Sequence, residues 1–269
     1  MVSSPTGRTG NPEAMSTAPM PPLIDKVVLV TGGARRIGAA IAQAFHAEGA
    51  KVAVHYHRSA TEAGRLVAAM NAERPASAAA FGADLADLAA LEALPGSVIG
   101  TLGALDVLVN NASTFYPTPV GNITPAQFDD LVGTNLRAPL FLCQAAAPEL
   151  RRRQGLIINI ADIHALRPLG RHAVYCAAKA ALVMLTRSLA RELGPEIRVN
   201  AIAPGPVMWP ENGVDEELRE RIVARTALKR SGSPDDVAKA AIFFATDAPF
   251  VTGQVLVVDG GRLQGGEDR

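Results

Sequence analysis

The chain has 269 residues, 48% of them hydrophobic, and a formal net charge of zero. That length and composition can bury one full core, and a balanced charge gives no electrostatic ground for binding nucleic acid or an anionic membrane. Aromatic residues make up only 4% of the chain, which also argues against a base-stacking surface.

Residues 1–22 hold Pro5, Pro12, Pro19, Pro21 and Pro22 among Ser, Thr and Gly, and they lack the apolar core of a signal peptide. They are expected to be a disordered leader, or an overlong start with Met15 or Met20 as the first residue, ahead of a single domain over 23–269. From Lys26 onward, short β-branched runs alternate with Ala-rich helical stretches. Strands are expected at 26–31, 51–56, 77–83, 105–110, 155–161, 196–202 and 254–258, and helices at 36–48, 60–73, 87–100, 125–153, 173–193 and 234–245. Several of these strands are apolar on both faces, as in a parallel sheet covered by helices on each side. The expected fold is α/β: a doubly wound, Rossmann-like, seven-stranded parallel sheet in one domain. Right-handed crossovers then place ligand loops at the carboxyl ends of the strands.

No apolar run approaches the roughly 20 residues of a membrane helix. The two cysteines, Cys143 and Cys176, form no CxxC pair, which suits a reducing, cytoplasmic compartment.

The first strand runs into Thr31-Gly32-Gly33-Ala34-Arg35-Arg36-Ile37-Gly38 and then into a helix. Small residues allow a tight turn and close approach to a pyrophosphate, and the helix start offers free N–H groups and a positive dipole end. Gly32, Arg36, Ile37 and Gly38 are therefore candidate cofactor contacts, and the Arg36 guanidinium has the reach to meet phosphate or substrate. The second strand ends His55-Tyr56-His57-Arg58-Ser59 with no acidic residue. An acid there would hold a ribose 2′-hydroxyl, whereas a guanidinium and a hydroxyl suit a 2′-phosphate. His57, Arg58 and Ser59 thus point to NADPH over NADH. No cysteine or carboxylate cluster accompanies His55 and His57, so no metal site is expected. Asp84-Leu85 suits an adenine-edge contact, with a cap for the following helix as the equal alternative.

The fourth strand ends in Asn110-Asn111-Ala112-Ser113-Thr114-Phe115. Asn111 and Ala112 should pass along the cofactor, and Phe115 offers a flat face against which a planar heteroaromatic could lie. Ser113 either bonds the same ligand or caps the turn. After the fifth strand comes Asp162, thirteen residues before Tyr175, which lies four before Lys179. That last spacing puts Tyr175 and Lys179 on one helical face. Lys179 is expected to lower the Tyr175 pKa toward neutrality, so that the phenol delivers a proton beside the atom that receives hydride. A charged Asp162 would repel a developing alkoxide but can accept N–H groups, which disfavours a simple ketone. Pro204-Gly205 closes the sixth strand, and the stretch 206–230 reads as a mobile cover. In it Met208 or Trp209 contacts the substrate, or Trp209 anchors the segment to the body.

From about residue 24 to 262 the chain resembles the short-chain dehydrogenases/reductases. It departs from their TGxxxGxG motif at Arg36, from their NNAG string at Ser113, and from their serine at Asp162. TGGARRIG, HYHRS and NNASTFYPTP together with Asp162 resemble, within that superfamily, the pteridine reductases. The resemblance implies NADPH-dependent reduction of C=N bonds in pterins, with folates as a second substrate class. It implies that Arg36 and Ser113 touch pterin and cofactor, that Phe115 stacks on the pterin, and that Asp162, Tyr175 and Lys179 form the catalytic group. It also implies that Asn135 holds a relay water, that Pro204 and Gly205 lie beside the cofactor, and that the protein is a homotetramer. The competing readings are a reductase of a 3-oxoacyl thioester or ketone and a non-catalytic NADPH sensor.

Overall fold

Valine and leucine fill β1 (Val27–Val30), which is buried throughout, as are β4 (Val107–Asn110) and β5 (Leu156–Ile160). Strands apolar on both faces belong in the middle of a helix-covered sheet, and the computed structural model, which describes residues 22–209 and 215–265, places them there. The other strands are β2 (Lys51–Tyr56), β3 (Ala78–Gly82), β6 (Arg198–Pro204) and β7 (Val255–Val258). All seven pair in parallel in the order β3-β2-β1-β4-β5-β6-β7. The strand order reverses direction at β1 and β4, so the loops after them lie side by side, at the switch point where doubly wound sheets bind ligands.

Eight α-helices are described: α1 (Arg36–Ala47), α2 (Ala60–Glu73), α3 (Leu88–Leu102), α4 (Pro125–Val132), α5 (Ala138–Arg153), α6 (Ala173–Leu193), α7 (Glu216–Ala224) and α8 (Pro234–Thr246). Alternation along β1 divides the core in two. Val28 and Val30 pack with Ile41 and Phe45 of α1 and Phe244 of α8. Val27 and Leu29 pack with Leu91 of α3, Leu142 of α5 and Leu189 of α6.

Polar ties fix the register of this frame. Asp106, buried just before β4, accepts from Val27 N at 2.9 Å, Lys26 Nζ at 3.1 Å and Arg153 Nε at 2.9 Å. Deeper in, Asn110 Nδ2 donates to Asn159 Oδ1 at 2.8 Å, and Asn159 Nδ2 donates to Thr186 Oγ1 at 2.9 Å. A buried amide left without partners is costly, so this chain of three side chains holds β4, β5 and α6 in one arrangement.

Three expectations change. The single helix expected over 125–153 is broken by a π-helical turn, Gly133–Arg137, between α4 and α5. Helix α7, for which no separate helix was expected, lies within the stretch read as a mobile cover and buries no residue. Finally, α6 is long and apolar enough by length and composition to cross a membrane, contrary to the expectation that nothing came near. Most of its apolar residues, Leu182, Val183 and Leu189 among them, are buried inside the protein, with Met184 left exposed. The leader expected over 1–22 lies, except for its last residue, outside the described residues.

Candidate active site

The glycine loop is shaped by two close approaches. Gly32 has φ +58°, and a Cβ on Gly38 would sit 2.2 Å from the Gly32 carbonyl oxygen. Only glycine fits Gly38, and glycine adopts the Gly32 backbone without steric cost. Arg36 also has a positive φ, of 56°, so at the position where glycine was expected a guanidinium is carried at a conformational cost of about 1 kcal/mol. Thr31 and Asn111 stitch this loop to the one after β4. Asn111 Nδ2 donates to Thr31 O at 2.8 Å, and Thr31 Oγ1 accepts from Asn111 N at 2.9 Å and Ala112 N at 3.0 Å. His55, considered in the sequence only as a metal ligand, braces the loop from β2. Its Nδ1 accepts from Gly32 N at 3.1 Å and its Nε2 donates to Ala83 O at 3.1 Å. Burial lowers its pKa to about 4 against the raising effect of the Ala83 bond, so the ring stays neutral and keeps that tautomer.

A cleft of about 790 Å³ opens along these strand ends. Gly32, Arg36, Ile37 and Gly38 line it together with His57, Arg58 and Ser59 and with Asp84, Leu85, Asn111, Ala112 and Ser113. The sequence-predicted cofactor residues are thus brought together, apart from three. Pro204 and Gly205 lie at the end of β6, where Gly205 N donates to Val258 O at 2.9 Å and a Cβ on Gly205 would meet Asp259 at 2.6 Å. Lys179 belongs to the catalytic group. The alternatives left open at Asp84 separate cleanly: Asp87 caps α3, while Asp84 Oδ1 accepts from Ala86 N at 2.9 Å in the preceding turn and its other oxygen faces His57 Nε2 at 3.7 Å.

Asp162 and Tyr175 meet directly. The Tyr175 hydroxyl donates to Asp162 Oδ2 at 2.7 Å, and Asp162 Oδ1 accepts from His164 N at 2.7 Å. Both bonds use Asp162 as an acceptor. Lys179, buried, donates to Ile160 O at 2.8 Å, and its Nζ lies 5.9 Å from the Tyr175 ring centroid. Burial lowers its pKa to about 8, against the pull of Asp162. The expectation that Tyr175 titrates near neutrality is corrected here. Burial first, then the charge of Asp162 and the bond to it, push the phenol well above its ordinary value, and a contact from Ser113 offsets only part. Tyr175 is held protonated, as a proton donor must be.

Asn135 sits in the π-helical turn, a deformation common at functional sites. Its Nδ2 donates to Thr114 O and Leu131 O, both at 2.9 Å, and its Oδ1 accepts from Ser113 Oγ at 2.6 Å. Ser113 therefore links the loop after β4 to this turn as well as facing the cleft. Phe115 is half exposed and stacks on His172, with its ring edge-on to Tyr175. His172 carried no motif in the sequence, and only the packing shows it. Arg36 Nη2 donates to Trp209 O at 3.3 Å, and the Arg219 guanidinium lies 5.3 Å from the Trp209 ring centroid. Trp209 is anchored on both sides, which supports the reading of it as an anchor. Met208 beside it is half-buried, and part of the expected cover, 210–214, lies outside the described residues.

Comparison with known proteins fits this geometry. A family model described as enoyl-(acyl carrier protein) reductase matches residues 32–262. Pteridine reductase 1 of Leishmania tarentolae is 38% identical, the match covering 92% of this chain and 98% of that protein. L-rhamnose 1-dehydrogenase (NAD(P)(+)) of Azotobacter vinelandii is 40% identical over 89% of this chain and 97% of its own. The 3-oxoacyl-(acyl-carrier-protein) reductase of Staphylococcus aureus is 36% identical over 88% and 97%. Among solved structures, a blue fluorescent protein from a metagenomic library, in complex with NADPH, superposes with a TM-score of 0.85 at 39% identity, covering 90% of this chain and 99% of that one. These relatives share a frame and differ in substrate. Matched along nearly its whole described length, the chain belongs to the short-chain dehydrogenase/reductase family of NAD(P)-dependent oxidoreductases.

Proposed function

We propose that the protein is an NADPH-dependent pteridine reductase, adding a hydride and a proton across a C=N bond of a dihydropteridine. The observation that carries this reading is Asp162 in place of a hydroxyl beside Tyr175, with Phe115 half exposed against the Tyr175 ring. An acceptor and a flat apolar face suit a ring rich in N–H groups. A carbonyl substrate would instead present a developing oxyanion to a carboxylate. The Leishmania relative supports the same assignment.

The cofactor is NADPH. Arg58 and Ser59 line the cleft at the end of β2, where no acid stands to hold a free 2′-hydroxyl, and the solved neighbour binds NADPH. When bound, NADPH supplies the hydride. Gly32, Ile37 and Gly38 would cradle the pyrophosphate, with Arg36 reaching phosphate and substrate. Asp84 and Leu85 would border the adenine, and Asn111, Ala112, Pro204 and Gly205 the remainder. Phe115 and Ser113 orient the substrate ring, with Met208 bordering it and Trp209 anchoring that segment to the body. Tyr175 gives its hydroxyl proton to the ring nitrogen. Lys179, still protonated near neutrality, stabilises the phenolate that results, and Asn135 positions the water that returns the proton. A homotetramer in the cytoplasm completes the reading.

Purified protein with NADPH, offered dihydrobiopterin, dihydromonapterin, dihydrofolate and acetoacetyl thioester, tests it. Turnover of a dihydropterin with kcat/KM at least about tenfold above the thioester is expected. Turnover of the thioester alone would sink the assignment.

A further inference from the structure

Phe115 is the side chain that the proposed function needs flat and open, yet it stands on a loop rather than on a strand or helix. A loop phenylalanine left to itself samples several rotamers, and ordering it on binding weakens affinity. Here its plane is held by another ring. Phe115 and His172 stack with centroids 4.7 Å apart and planes 11° from parallel, while Tyr175 meets Phe115 edge-on at 4.8 Å and 78°. His172 is itself fixed from three directions. Its Nδ1–H donates to Gly170 O at 2.8 Å, a carbonyl that can only accept. Its own carbonyl accepts from Cys176 N at 2.9 Å, in the first turn of α6. Its backbone forms a parallel bridge to Thr118, whose N–H donates to Arg171 O at 2.6 Å. One face of Phe115 is thus backed by His172, and Tyr175 holds the ring in a T-shaped contact, yet half of the side chain is still exposed. That exposed half is the surface left for a flat ligand.

We propose that His172 is a positioning residue of the substrate site, backing Phe115 so that its free face is preset for a planar heteroaromatic substrate. The proposal rests on the pteridine reductase reading. His172 touches no reacting atom, so its effect falls on substrate affinity and not on proton transfer. Aromatic pairs of this geometry are worth up to roughly tenfold in an equilibrium constant beyond the area they bury.

The test uses the full chain with NADPH and dihydrobiopterin and three variants. His172→Ala removes the backing ring. His172→Asn keeps a donor toward Gly170 O but no ring, and His172→Phe keeps a ring but no donor. The Ala and Asn variants are expected to raise KM for dihydrobiopterin about five- to tenfold, with kcat within about twofold and KM for NADPH unmoved, and the Phe variant to restore KM to within about twofold. Should the Ala variant not fold, the Asn and Phe pair carries the same comparison. An unchanged KM overturns the proposal. So does a lower one, which would mean that His172 occupies the ligand's place, and so does a loss of kcat that Phe does not rescue. If the wild-type protein turns over no pterin, the functional reading fails separately. His172 is then judged from the crystal structure of the NADPH-bound Asn variant: a displaced Phe115 ring supports the proposal, and a ring in its wild-type plane overturns it.

Discussion

At Tyr175 two opposite demands meet. The four-residue spacing to Lys179 predicts a phenol drawn toward neutrality. The structure has it donating to Asp162 at 2.7 Å and pushed upward by burial and by that carboxylate. Lys179 is not close enough to compensate, with its ammonium 5.9 Å from the ring centroid and spent on Ile160 O. A proton donor tolerates this, because reduction begins from the protonated phenol. Asp162→Asn keeps the shape and removes the charge that raises the phenol. The sign follows: the Tyr175 pKa falls, so the alkaline limb of kcat/KM for dihydrobiopterin moves to lower pH. With one acceptor lost, the plateau should fall by about 10²-fold, in the range of a general acid–base contribution. A pH–rate profile of both proteins checks this; superimposable profiles would show Asp162 to be incidental to the chemistry.

Among the elements, the frame that aims these groups depends on a few buried polar joints. Asp106 is the clearest. It is 3% exposed and bonds a backbone N–H of β1, the adjacent Lys26 and Arg153 at the end of α5. Lys26 and Arg153 are partly solvated and can recover hydration, but the Val27 N–H lies buried. Asp106→Ala should therefore destabilise by about 2–3 kcal/mol, below the full figure for a broken buried pair. Urea denaturation measures it, and a loss under about 0.5 kcal/mol would mean that solvent replaces the carboxylate. The strand and helix periods were legible because burial repeats along them. Six of the seven strands fall within the expected segments and β6 runs two residues past its expected end, with every strand end within two residues of expectation. The π-helical turn was not legible: Gly133–Arg137 carries no local signal, and the turn shows itself only through Asn135 bonding Thr114 and Ser113 from another loop.

On the scale of the whole molecule, the balanced charge leaves acid stability to particular buried groups. His55 is 1% exposed, and burial lowers its pKa to about 4 from an ordinary 6.5. Its folded value is depressed, so the unfolded chain binds the extra proton first. Its contribution is fully present above about pH 6.5 and is lost as pH falls toward 4, approaching about 3 kcal/mol. His46, also lowered chiefly by burial, acts in the same direction. Denaturation at pH 7.5 and 4.5 should show a smaller acid loss for His55→Asn than for the wild type. Equal losses would show that His55 does not titrate across this window.

The sequence by itself determined the doubly wound sheet and the gathering of glycines, Arg58 and the Tyr175–Lys179 pair at its carboxyl edge. Hydrophobic period and strand–loop–helix order are local properties, and they fix which loops meet. Only the tertiary structure decided how those groups behave. His55 bracing the glycine loop, Asn110–Asn159–Thr186 holding α6 to the sheet, and His172 under Phe115 are contacts between residues 23 to 57 positions apart. No spacing rule links such pairs. Whether a phenol rises or falls in pKa depends on the burial and charges that the fold brings around it, and here the fold brought Asp162 nearer than Lys179.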